Sequence, residues 1–129
     1  MLADAKAFSG FSVTDIEEAR SFYADTLGLR AEVIEPGMGL MLLHLGEGQD
    51  AFVYAKPDHE PATYTMLNFE LDDIEAAVDG LAARGVEFER YDEMEQDERG
   101  IARGPGPQIA WFKDPAGNVI SLLQQQEGG

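Results

Sequence analysis

Apolar residues along the chain recur with two periods, and the switch between them happens twice in the same order. In "AFSGFSV" Phe11 and Val13 alternate with Gly10 and Ser12, and in "MLNFEL" Leu67, Phe69 and Leu71 alternate with Met66, Asn68 and Glu70. A period of two is that of a strand with one face on a core. Each strand gives way to three-and-four spacing, first at Ile16, Ala19, Phe22 and Tyr23, then at Ile74, Ala77, Val78, Leu81 and Ala82. That spacing predicts an amphipathic helix. Gly28 and Gly85 follow the helices where a left-handed C′ residue belongs, and extended segments "LRAEVIE" and "VEFERYD" come next. Each half then ends in a predicted hairpin. In the first, "LMLLHLG" and "AFVYA" flank "GEGQD"; in the second, "QIAWFK" and "NVISLLQ" flank "DPAG", where Pro115 suits the second turn position and Gly117 a positive φ.

Both halves therefore read strand, helix, strand, strand, strand, with "FSVTDIEEA" at 11–19 echoed by "FELDDIEAA" at 69–77, an offset of 69 − 11 = 58 residues. The modules span about 7–55 and 65–125 of one domain, 1–129. Two linkers remain: "KPDHEPAT" at 56–63 joins the modules, and "EMEQDERGIARGPGP" at 93–107 interrupts the second. Loops as long as the latter serve as lids or binding loops, or are disordered.

The echoed segment is rich in carboxylates, and helix starts explain most of them. The first amides of a helix lack intrahelical partners, so Thr14 with Glu17, and Asp72 with Glu75, are expected as capping boxes. Asp15 and Asp73 add negative charge at the positive end of the helix dipole. Glu70 stands apart, on the strand face away from the helix and opposite Ser12 in the first copy. It is either a strand-end carboxylate reaching water or a cavity carboxylate that holds a cationic or hydroxylated ligand or, if desolvated, acts as a general base.

With Lys+Arg 9 and Asp+Glu 25 the formal charge is −16, a field that repels phosphate backbones and anionic lipid. Nucleic acid and membrane are not expected partners. There is no cysteine, which excludes disulfides, thiolate metal sites and a cysteine nucleophile. "MLADAKAFSGF" has neither a basic n-region nor a long apolar run, so the expected location is the cytoplasm.

The repeat, with "F-x-V-x-D-I-E-x-A…FY-x-x-x-LGL" early and "FKDPAGN-x-I-x-L" late, resembles the vicinal oxygen chelate superfamily of glyoxalase I, extradiol dioxygenases and bleomycin-resistance proteins. The resemblance implies an α+β fold in which two tandem βαβββ modules form a curved eight-stranded mixed sheet, with helices on the convex face and a ligand cavity inside. It also implies a homodimer. Metal-dependent relatives place ligands at positions corresponding here to Phe8, Tyr54 or Val53, Met66 and Ser121. Phe and Met offer no hard donor and serine alone is a poor one, so no metal and no cofactor is expected. His59 lies in the linker and His44 stands alone in its strand.

The inward set instead reads as an apolar pocket with polar tips. Phe8, Tyr54, Met66 and Trp111 supply the surface, and Ser121, Asn68 and Glu70 the directional contacts. Ordinary core packing is the competing reading for each aromatic, and alternation leaves open whether Trp111 or Phe112 points inward. Arg103, in the second linker, either closes on an anionic ligand or pairs with the acidic surface. The expected function is metal-independent binding of a small molecule, an antibiotic or metabolite. The alternative is a lyase, isomerase or dioxygenase with non-standard catalytic residues, Glu70 among them.

Overall fold

A computed structural model describes residues 1–34 and 37–125. The chain divides into two units, Met1–Glu60 and Pro61–Gly129. Glu35, the last residue of "LRAEVIE", lies outside the described residues.

In the first unit β1 (Ser9–Val13), α1 (Ile16–Arg20), β2 (Arg30–Ile34), β3 (Leu40–His44) and β4 (Asp50–Ala55) follow in order. The sheet runs β1-β4-β3-β2, with β1 parallel to β4 and the other pairs antiparallel. Val13, Met41, Leu43, Ala51 and Val53 are buried from the sheet, and Ala19 and Tyr23 from the helical segment. Registered partners share a face, so Met41 against Val53 and Leu43 against Ala51 mark the side that carries the core. After Arg20 the helix widens into a π turn, Ser21–Thr26. Tyr23 sits in it fully buried, its ring 5.9 Å from Phe11 and 5.3 Å from Phe22.

The second unit contributes β5 (Thr65–Glu70), α2 (Ile74–Ala83), β6 (Gln108–Lys113) and β7 (Val119–Gln124). Its sheet runs β5-β7-β6, parallel then antiparallel. Ile74 and Val78 of α2 are buried with Ala110, Phe112, Ile120 and Leu122, and the strand residues of this set share one face by register. Between Thr65 and Leu67 the register with β7 shifts, leaving Met66 as an extra residue in a bulge. α2 ends as the sequence predicts. Gly85 takes φ 94°, its amide donates to the Ala82 carbonyl, and the Val86 amide donates to that of Leu81, the paired bonds of a Schellman cap. The "DPAG" turn also forms as expected, with Gly117 at φ 88° and the buried Asp114 carboxylate accepting from the Ala116 and Asn118 amides.

The fold is thus α+β, with two α-helices and mixed sheets of four and three strands among the described residues. Two expectations require correction. The caps are Asp15 and Asp73, one residue beyond Thr14 and Asp72: each has extended backbone, and its carboxylate accepts from the amide three residues on, Glu18 and Ala76, at 3.1 Å. The Gln124 side chain takes the first amide of α2, at Ile74, from β7.

The segment "VEFERYD" does not form a ladder; it makes one antiparallel bridge, Phe88 to Phe112, and a bond from the Glu89 amide to the Trp111 carbonyl. Two of its backbone groups, the Tyr91 amide and the Glu89 carbonyl, are claimed by a side chain. Gln96 accepts from the Tyr91 amide at 2.7 Å and donates to the carbonyls of Glu89 at 2.9 Å and Gly100 at 2.8 Å. Arg90 donates back to the carbonyls of Asp97 and Glu98, and Asp97 accepts from the amides of Arg99 and Ile101. The second linker is therefore tied from Gln96 to Ala102, with Ile101 fully buried and Ala102 bridged to Ile109.

Candidate functional site

In each unit the sheet face away from the buried set carries the residues of interest. On the first, Gly10 pairs with Phe52 and Ser12 with Tyr54, while Leu40 and Leu42 pair with Tyr54 and Phe52 from the other side. Tyr54 is 41% exposed and Val53 fully buried, so Tyr54 is the member of that pair on the open face. Phe8, just before β1 and 59% exposed, lies with its ring 5.3 Å from that of Phe52. The result is an aromatic surface of Phe8, Phe52 and Tyr54.

Polar groups border it. Ser12 is joined to His59 Nδ1 at 2.6 Å, so the linker histidine is brought to the open face. His44 does not stand alone: Nδ1 lies 2.9 Å from Asp50 and Nε2 3.1 Å from Glu32, which also pairs with Arg30 at 2.7 Å. With both ring nitrogens facing carboxylates, His44 is tied into a row with Asp50 and Glu32.

On the second unit, Asn68, Ser121 and Trp111 are registered in one row across β5, β7 and β6. Ser121 is 1% exposed and its hydroxyl donates to Asn68 Oδ1 at 2.5 Å. Trp111 is half-buried and meets Tyr91 edge-on at 5.4 Å, whereas Phe112 is fully buried on the other face against Phe88. Trp111 is therefore the residue on the open face. Burial raises the Tyr91 hydroxyl above its ordinary pKa, aided by the Glu89 carboxylate and opposed by Lys113. Glu70 is exposed beyond Asn68, in register with Leu123, and Met66 occupies the bulge.

Arg103 is held by Asp97 at 2.9 Å, by Glu75 at 2.6 Å and by Gln108. Bonds to Asp97 and Glu75 raise its pKa further. It fastens the loop to α2.

The donor set tests whether a metal fits. Phe8 and Met66 offer none, and the Ser121 hydroxyl is spent on Asn68. Among the described residues no three His, Asp or Glu side chains gather to hold a metal ion. The residues present do not fit the family's metal.

Phe52, His59 and Tyr91 were missed from sequence. Phe52 was within reach, being two residues from Tyr54 on the same strand face. Nothing local marks His59 or Tyr91, since loops bring both into place.

The chain is 26% identical to TnmS3, an antibiotic binding protein from Streptomyces sp. CB03234, with 95% of this chain and 98% of that one covered and a TM-score of 0.70. It shares the fold of a glyoxalase/bleomycin resistance protein/dioxygenase superfamily member from Sphaerobacter thermophilus DSM 20745, at 23% identity, coverage of 94% and 98% and a TM-score of 0.70. It also shares that of FosX, a fosfomycin resistance protein from Listeria monocytogenes, at 13% identity, coverage of 95% and 92% and a TM-score of 0.72. Among curated proteins none matches significantly. Across residues 8–122 the sequence fits the family model described as Glyoxalase/Bleomycin resistance protein/Dioxygenase superfamily. The chain belongs to that superfamily.

Proposed function

We propose that this protein binds a small molecule without a metal ion, as an antibiotic- or metabolite-sequestering member of its superfamily. The observation that carries the reading is the exchange of hard donors for Phe8, Met66 and Ser121 on sheets whose open faces present Phe8, Phe52, Tyr54 and Trp111. Half-exposed aromatic rings offer flat surface that a planar ligand covers, with about 0.5–1.5 kcal/mol per ring pair beyond the area buried. A formal charge of −16 raises the local concentration of cations, and Glu70 on the open face offers a carboxylate for a basic nitrogen. The likeness to an antibiotic binding protein supports the same class of ligand.

Sequestration requires affinity alone, so no reacting group need be placed. The proposal includes the family's eight-stranded arrangement in a single domain, a homodimer and a cytoplasmic location. Titration of EDTA-treated protein with bleomycin-type and other cationic aromatic compounds, by calorimetry and tryptophan fluorescence, tests the central point. Saturable binding is expected; absence of heat and of fluorescence change across the set refutes it. Stoichiometric metal in protein purified without chelators refutes the metal-free part.

A further inference from the structure

We propose that Ser121 and Asn68 form a fixed hydrogen-bond donor which, beside Trp111, selects aromatic ligands bearing an acceptor oxygen. This deepens the binding reading above and rests on it.

The orientation of the Asn68 amide follows from where its partner sits. Ser121 is 1% exposed, so its hydroxyl proton needs a protein acceptor, and Asn68 Oδ1 lies 2.5 Å away. Turning the amide round would point Nδ2 at the hydroxyl oxygen and strip the buried proton of that acceptor, at the cost of an unsatisfied polar group. No buried side-chain nitrogen or oxygen among the described residues lacks a partner, and this pair keeps Ser121 within that rule. Oδ1 is therefore held inward, and the Nδ2 hydrogens of the exposed Asn68 are presented outward.

A group held this way donates and does not accept on its outer side. The ligand atom that complements it is an oxygen with a lone pair: a carbonyl, ether or phenolate. Trp111 lies in the same registered row two strands away, roughly 10 Å across the sheet at the usual strand spacing. Tyr91, edge-on at 5.4 Å, fixes the indole on one side. A fused aromatic ring with an oxygen substituent spans that distance, its ring against the indole and its oxygen at the amide.

Two probes of the same shape isolate the donor: 2-acetylnaphthalene carries the oxygen and 2-ethylnaphthalene lacks it. The chain has one tryptophan, so fluorescence quenching reports binding at this face. Native protein is expected to prefer the acetyl compound by about five- to tenfold, the worth of one hydrogen bond. In Asn68→Asp, which keeps the acceptor for Ser121 and loses both donors, the preference falls to about one. In Ser121→Ala, where the amide is no longer pinned, it falls to about two. The Asn68 side-chain amide signals, distinguished from those of Asn118 by their loss in Asn68→Asp, are expected to shift with the acetyl probe only. Equal affinity of native protein for both probes, or a preference that survives in Asn68→Asp, overturns the inference and leaves the binding reading standing. If neither probe binds and cationic aromatics also fail, both fall together.

Discussion

Replacing Gln96 by alanine should destabilise the protein far more than a loop residue ordinarily does. Its amide makes three bonds to backbone, one from the Tyr91 N–H and two to the Glu89 and Gly100 carbonyls, all between 2.7 and 2.9 Å. Each such bond contributes about 0.5–1.5 kcal/mol net, and water can reach part of this half-buried site, so the lower part of the summed range applies, about 2 kcal/mol. Unfolding entropy scales with length, at about 2.1 cal/mol/K per residue, or about 0.27 kcal/mol/K for 129 residues. The melting temperature of Gln96→Ala should therefore fall by about 7 °C. Gln96→Glu keeps the acceptor for Tyr91 but sets a carboxylate against two carbonyls, and it should rescue nothing. Calorimetric and urea unfolding measure both, and hydrogen exchange on the native protein should show slow exchange at Tyr91. A loss below about 0.5 kcal/mol in Gln96→Ala would refute the reasoning and return the segment to the status of a loose loop.

Alanine at Asp73 should cost about 1 kcal/mol, near 4 °C, whereas Asp72→Ala should stay within about 0.5 kcal/mol; equal losses in thermal melts would contradict the cap assignment. Gly117→Ala combines a φ of 88° with a new Cβ 3.1 Å from Pro61 Cγ and should lose about 2 kcal/mol in urea unfolding. Asp97 is pushed up by burial but pulled further down by bonds from the Ile101 amide, Arg103 and the Arg99 amide, leaving it below its ordinary 3.8. A lowered folded value means stabilisation that is complete above the unfolded pKa and lost as pH falls from about 3.8 through the folded value. Asp97→Asn should therefore be less stable at neutral pH and show a shallower loss of stability below pH 4, measured by urea midpoints.

Most elements were legible because their periods are local. Phe11 and Val13, or Leu67 and Phe69, announce a strand without reference to anything distant, and Gly85 and Gly117 mark turns that only positive φ allows. The caps slipped by one residue because Thr14–Asp15 and Asp72–Asp73 each offer two capping side chains in succession. Which of them caps is decided by the residue whose backbone stays extended. The strand expected at "VEFERYD" was lost to a competitor seven residues from Glu89, the Gln96 side chain, which periodicity does not register. At the candidate site, Asn68 and Ser121 were each singled out, but their mutual bond depends on parallel pairing of β5 with β7, 53 residues apart. The face of Trp111 and the isolation expected of His44 were likewise matters of register.

The outer edge of β6 carries a further consequence. Such an edge normally offers a row of free amides and carbonyls to any extended chain that drifts past. Here the Glu89 amide occupies the Trp111 carbonyl at one end, while Ala102 exchanges both backbone bonds with Ile109 at the other. The strand between them, "IAWF", is rich in residues that favour cross-β stacking. By sealing both ends of that strand, the two loop segments act as a guard against aggregation, and a variant that frees either one should reveal itself first as a protein that precipitates at high concentration.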